Sequence, residues 1–189
     1  DLGAHNLPPQ MTPFVGRQAE LVALGGRLAD PTCRLLTLVG PGGIGKTRLA
    51  IQAAYENRRA FLHGVCFVPL TTIPSAASLT TAIADALKLR LQGSAPAHEQ
   101  VLGALRPREL LLVLDNFEHL VEDGAWLLTD ILKAAPEVTL LVTSRERLNL
   151  YAETVFDVQG LACPAETQVE RAASYSAVDL FLRSADRAQ

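Results

Sequence analysis

Cysteine is scarce in this 189-residue sequence, and the three present, Cys33, Cys66 and Cys163, are odd in number, widely spaced and without a C-x-x-C pair. That excludes a disulfide framework and points to reduced, buried thiols in a cytoplasmic protein. The four histidines, at 5, 63, 98 and 119, show no metal-ligand spacing. Positive charge is short as well: 17 Lys plus Arg against 20 Asp plus Glu leave a formal net charge of −3. Direct contact with nucleic acid or an anionic membrane calls for a basic surface, so neither partner is expected of this segment. No apolar run is long enough to cross a bilayer, since the longest uncharged stretch, residues 60–84, is interrupted by Pro69, Pro74 and many Ser and Thr. A signal-peptide pattern and an initiator Met are also missing. Residues 173–189 read as a helix without its packing partner, and the expectation is a segment of a longer chain.

What is present is an ordinary globular composition, 49% hydrophobic and 20% charged, long enough to bury a sizeable core. Within it stands one sharp motif. Leu35-Leu36-Thr37-Leu38-Val39 reads as a buried strand, Gly40-Pro41-Gly42-Gly43-Ile44-Gly45-Lys46-Thr47 fits G-x-x-x-x-G-K-[ST], and Arg48-Leu49-Ala50-Ile51 continues as a helix. Strand, glycine-rich turn and helix start are the context this phosphate-binding pattern requires, and chance would produce it in about one of several hundred such chains. Gly42, Gly43 and Gly45 let successive N–H groups converge on a phosphate at a helix N-terminus. Lys46 can reach the β- and γ-phosphates, and the Thr47 hydroxyl can ligate a Mg²⁺ that keeps most of its waters.

The rest of the chain alternates strands and helices. Residues 1–12 read as an extended linker, and 18–29 carry Leu21, Val22, Leu24 and Leu28 at helical spacing. Strands are expected at 65–68, 110–115, 138–143 and 154–158. Helices are expected from a Ser75 cap to Leu89, over 98–105, and from 121 or 122 to 134, the last with Trp126, Leu127, Ile131 and Leu132 on one face. Such alternation argues a parallel sheet covered on both faces, an α/β fold.

Two further groups belong with the phosphate loop. Asp115 ends the most apolar strand, Leu110–Leu114, and a carboxylate at the C-terminal edge of a parallel sheet, about seventy residues after a P-loop, suits a nucleotide-bound Mg²⁺. The next position, where many hydrolysing relatives of the P-loop class place a Glu, holds Asn116, which cannot take a proton. Glu118, two residues further on, is the candidate to substitute for that base, but its preferred reading is a solvated loop residue. Ser144-Arg145 ends the following strand, so Arg145 faces the same cleft and can report a γ-phosphate.

In order, Phe14-Val15-Gly16-Arg17, the loop from Gly40 to Ala50, Leu111–Leu120 and Leu141–Arg145 resemble the NB-ARC module of STAND-class signalling ATPases, especially as carried by bacterial transcriptional regulators. The resemblance extends from about Phe14 to Leu182. It implies a P-loop NTPase fold with a parallel five-stranded sheet of order 5-1-4-3-2 flanked by helices. It implies a linker over 1–13, a nucleotide-binding domain over 14–160, and the truncated beginning of a helical, ARC-like subdomain over 161–189. Val15, Gly16 and Arg17 are implied to contact adenine and phosphates, Lys46, Thr47 and Asp115 to hold phosphate and Mg²⁺, and Arg145 to act as the γ-phosphate sensor. The implied activity is an ATP/ADP switch with slow hydrolysis, linked to effector and sensor domains of the full-length chain and able to self-associate in its ATP state. An actively hydrolysing AAA+-like ATPase is the alternative, with Asn116 against it. A metabolite kinase would need an acceptor lid, and none is evident.

Overall fold

Five runs of five to seven residues, the first four largely apolar, become five parallel strands: β1 (Leu35–Val39), β2 (Val65–Pro69), β3 (Leu110–Asp115), β4 (Val138–Ser144) and β5 (Glu153–Asp157). They form one sheet in the order β2-β3-β4-β1-β5, the order the motif resemblance implied. The computed structural model describes residues 3–161 and 176–178. The connecting helices are α1 (Gln18–Leu28), α2 (Lys46–Asn57), α3 (Ala76–Ala86), α4 (Ala97–Leu105) and α5 (Val121–Ala134).

Side chains alternate across a strand, and β1 to β4 are buried on both faces, so these four strands feed two cores, while the edge strand β5 is only partly buried. Leu110, Leu112 and Leu114 pack with α3, α4 and α5 on one face. Leu111 and Val113, with Leu36, Leu38 and Leu141, pack under α1 and α2 on the other. The same alternation places Asp115 and Thr143 on the face covered by α2. Register brings them level, because Leu114 pairs with Val142 and Leu38 with Thr143. Arg34, just before β1, donates to the carbonyls of Leu132, Ala135 and Val138 at 2.6–3.3 Å, satisfying the end of α5 and tying it to β4.

Several local expectations are revised. Residues 4–6 are extended, as a linker should be, yet they dock on the edge strand: His5 bridges Val65, and the Asn6 amide exchanges hydrogen bonds with the Phe67 backbone at 2.6 and 2.9 Å. Helix α3 stops at Ala86 rather than Leu89, because Lys88 takes a left-handed φ of 55°. Ser75 stands at its N-cap, but its hydroxyl meets Ser78 Oγ at 3.3 Å instead of a backbone amide. In α5 the buried face is Gly124, Leu127, Leu128 and Ile131, leaving Trp126 exposed, and Val22 of α1 is exposed too. The expected helix over 173–189 lies outside the described residues except for 176–178, which are helical.

Candidate functional site

The glycine loop leaves β1 at Gly40 and turns into α2 through Gly45, whose φ of 96° is a backbone conformation L side chains rarely adopt. Gly43, at φ 77°, has open space around its missing Cβ. These two positions shape the turn. Lys46 opens α2, is 8% exposed, and donates its ammonium to the Gly40 and Pro41 carbonyls at 2.7 and 3.0 Å. Two of its three N–H donors are thus spent across the loop. Burial lowers its pKa, against the raising effect of the Glu118 carboxylate nearby.

Thr47 follows on the first turn of α2 and donates its hydroxyl to Asp115 Oδ1 at 2.7 Å. Thr143 of β4 donates to the same oxygen at 2.6 Å and accepts the Asn116 amide at 2.9 Å. A chain therefore runs from the Asn116 N–H through the Thr143 hydroxyl to the carboxylate, which fixes the Asp115 rotamer. Thr47 and Asp115, expected together as metal ligands, are brought together, and Thr143 is the partner that the motif reading did not single out. Its signal was available: it shares strand parity with Leu141, on the α2 face. A hydroxyl and a carboxylate 2.7 Å apart are hard oxygen donors of the kind a hydrated Mg²⁺ accepts.

Asn116 is in the left-handed region, φ 65°, a conformation Asn tolerates better than most residues. After it a short 3₁₀ turn, Phe117–Leu120, buries Phe117 and Leu120. Glu118 rides on this turn and does not project into solvent as expected: its side chain is 18% exposed, and Oε1 accepts Arg145 Nε at 3.0 Å. The tertiary contact of Phe117 overrides the polar character of the segment. Arg145 lies at the cleft as expected, with its guanidinium 3.6–3.7 Å from where a Cβ on Gly42 would stand.

Two cavities adjoin at the loop. One, of about 210 Å³, is lined by Gly42, Gly43, Gly45, Lys46, Thr47, Arg48, Asn116, Glu118 and Arg145. The other, of about 260 Å³ and mostly apolar, is lined by Phe14, Val15, Arg17, Ile44 and Leu161 with the shared Gly43, Gly45 and Arg48. Arg17 reaches the loop directly, donating to the Ile44 carbonyl at 2.7 Å and pairing with Glu20 at 3.0 Å. Gly16, at φ 70°, is pressed against residue 176: a Cβ there would stand 2.6 Å from the Ser176 hydroxyl. Arg48 faces both cavities and donates Nη2 to the Thr12 and Pro13 carbonyls at 3.0 Å, anchoring the segment before Val15. Phe14, the first residue of the Phe14–Arg17 motif, and Leu161, which carried no motif signal, complete the apolar cavity.

Comparison with known proteins bears on the family and the fold. A family model described as NACHT domain matches residues 34–183. An uncharacterized Mycobacterium tuberculosis protein is 34% identical over 158 residues, covering 84% of this chain and 40% of that protein. The regulatory protein AfsR of Streptomyces griseus is 31% identical over 154 residues, 75% of this chain and 15% of its own length. The chain thus spans well under half the length of these relatives. Among solved structures, a Pyrococcus horikoshii STAND protein with a tetratricopeptide repeat sensor superposes with a TM-score of 0.54 at 19% identity, over 82% of this chain and 25% of that one. Cdc6p from Pyrobaculum aerophilum gives 0.58 at 14% identity, over 89% and 52%. At such identities the likeness is one of fold.

Proposed function

Because this chain belongs to the NACHT-domain family of STAND-class P-loop NTPases, a near relative of the NB-ARC module that its motifs resemble, we propose that it is the ATP/ADP-binding switch module of a larger regulatory protein. The observation that carries this reading is the meeting of Thr47, Asp115 and Thr143 beside the Lys46 loop. It supplies a phosphate cradle and two oxygen ligands for Mg²⁺ in one place. When bound, Mg²⁺ would neutralise phosphate charge; Thr47 and Asp115 would hold it. Lys46 would exchange its loop carbonyls for phosphate oxygens, and the loop amides from Gly42 to Thr47 would line the phosphates. The apolar cavity beside Val15, Gly16 and Arg17 has the character of a base site, with Arg17 bracing the loop from that side.

The proposal includes a linker over 1–13, a nucleotide domain over 14–160 and a helical part from 161, whose Ser176 meets Gly16. In this division the contact of Ser176 with Gly16, beside the base site, is the link by which the nucleotide state is passed to flanking effector and sensor domains. The likeness to AfsR supports a regulatory setting. Self-association in the ATP state, slow hydrolysis, a cytoplasmic location and the lack of direct nucleic-acid contact complete the proposal. No helix among the described residues is long and apolar enough to cross a membrane.

Calorimetry with Mg·ATP and Mg·ADP tests the reading. Lys46→Ala is expected to weaken Mg·ATP binding at least about a hundredfold, the loss of a charge-assisted phosphate contact, with an unchanged circular dichroism spectrum. Equal affinity in both proteins would refute it. A constitutively active AAA+-like ATPase is the second reading, favoured by the position of Glu118 in the phosphate cavity. Multiple turnovers per second without an activating ligand would select it over the switch.

A further inference from the structure

Glu118 is out of place beside an anion site. It is the sole carboxylate among the described residues lining the phosphate cavity. Its Oε1 is taken by Arg145, while Oε2 is buried and without a hydrogen-bond partner. A buried carboxylate oxygen without a donor is costly, and it is also a ready proton acceptor for a water entering the cavity. Its field reaches the phosphate-binding ammonium: after desolvation, Glu118 is the largest influence on Lys46, ahead of Arg145 and Asp115. The position next to Asp115 offers no competing base, because Asn116 is an amide.

Arg145 is the movable half of the pair. Its side chain is 65% exposed, against 18% for Glu118, and it bonds the carboxylate through Nε alone, so the pair is weakly held. A γ-phosphate offers a guanidinium more negative charge and three acceptor oxygens in the same cavity.

We propose that Arg145 and Glu118 form a γ-phosphate interlock, in which Arg145 masks the Glu118 carboxylate until a γ-phosphate draws the guanidinium away and frees Glu118 to act as general base. The proposal rests on the nucleotide-switch reading and names the device that times its hydrolysis. In the step, a water oxygen bonds to the γ-phosphorus and the bond from that phosphorus to the β–γ bridging oxygen breaks. One water proton passes to Glu118, and ADP and inorganic phosphate leave. Once the γ-phosphate has gone, Arg145 returns to Glu118 and the ADP state is masked again. One arginine thus serves either sensing or masking, never both at once.

A double-mutant cycle with Mg·ATP and Mg·ADP, read by calorimetry, tests the interlock in the protein, Glu118→Gln, Arg145→Ala and the double variant. Glu118→Gln is expected to strengthen ATP binding about two- to fivefold, the value of an exposed pair that no longer has to be broken, with ADP affinity unchanged. That gain is expected to shrink when Arg145 is already Ala. A pair that stays closed during binding gives the opposite sign: Glu118 is neutralised while Arg145 is present, so the gain would be larger in the Arg145→Ala background, and this overturns the interlock. Single-turnover hydrolysis by Glu118→Gln is expected to fall by about a hundredfold or more, and an unchanged rate overturns the base role. If the unsubstituted protein binds neither nucleotide, the switch reading itself fails; if it binds both and the coupling has the wrong sign, only the interlock fails.

Discussion

Thr143→Val removes one hydroxyl from the centre of the site while nearly preserving volume. That hydroxyl is 1% exposed at the residue level and joins the Asp115 carboxylate, 6% exposed, to the Asn116 amide. A hydrogen bond to a charged acceptor contributes about 1.5–3 kcal/mol, and leaving the amide without its acceptor costs about 1–3 kcal/mol more. Because Thr47 still bonds the same Oδ1 and the turn can relax, the two losses overlap, and a net destabilisation of about 2–4 kcal/mol is expected. With a urea slope of about 2 kcal/mol/M for a domain of this size, the unfolding midpoint falls by about 1–2 M at unchanged slope. Thr143→Ser keeps the hydroxyl and loses a methyl group, a cost of about 1 kcal/mol. A valine variant as stable as the serine variant would show that the relay from Asn116 to Asp115 does not hold the turn.

Two other outcomes follow from single positions. Gly64 has φ +72°, and a Cβ there would stand 1.9 Å from the Ala4 carbonyl oxygen, which accepts the Val65 amide at 2.9 Å. Gly64→Ala is therefore expected to detach residues 4–6 from the β2 edge, read as faster hydrogen exchange at Val65 and Phe67; unaltered protection would mean the segment is not seated there. Cys66 is buried in β2, and desolvation pushes its thiol from 9.0 up to about 12. The folded state then holds this proton more tightly than the unfolded state, so the thiol's contribution to stability is present below pH 9 and is lost as pH rises from 9 toward 12. Chemical unfolding of Cys66→Ala against the unsubstituted protein across that range should show a shallower decline in the variant, and parallel curves would contradict the burial argument.

Much of the sheet was readable in advance because β1 to β4 are largely apolar runs, the mark of strands buried on both faces. Leu110–Leu114 could hardly be anything else, and the Asp that closes the run had to stand at the ligand-binding edge. The order of the strands came from the linked motifs, not from periodicity. What periodicity misjudged is instructive. In α5 the apolar Trp126 was assigned inward, but Gly124 takes the closest approach: a Cβ on it would stand 3.3–3.4 Å from Leu120, Leu79 and the Phe117 ring. The helix turns its smallest residue against α3 and the 3₁₀ turn, and Trp126 is turned out beside His98.

Asn116 shows the same limit at the site. As a sequence letter it reads as a missing base, a loss of catalytic potential next to Asp115. In the fold its left-handed backbone, φ 65°, turns the chain so that Phe117 and Leu120 are buried and Glu118 is carried back to the phosphate cavity. A glutamate at position 116 would tolerate that conformation poorly, so the residue that cannot accept a proton is the one that lets a later carboxylate reach the place where a proton would be released. Spacing along a chain records which groups are adjacent in sequence, whereas a single αL residue decides which of them returns to the site. That is why the letters alone singled out Lys46, Thr47 and Asp115, while for Glu118 they left the solvated loop residue as the preferred reading over the substitute base.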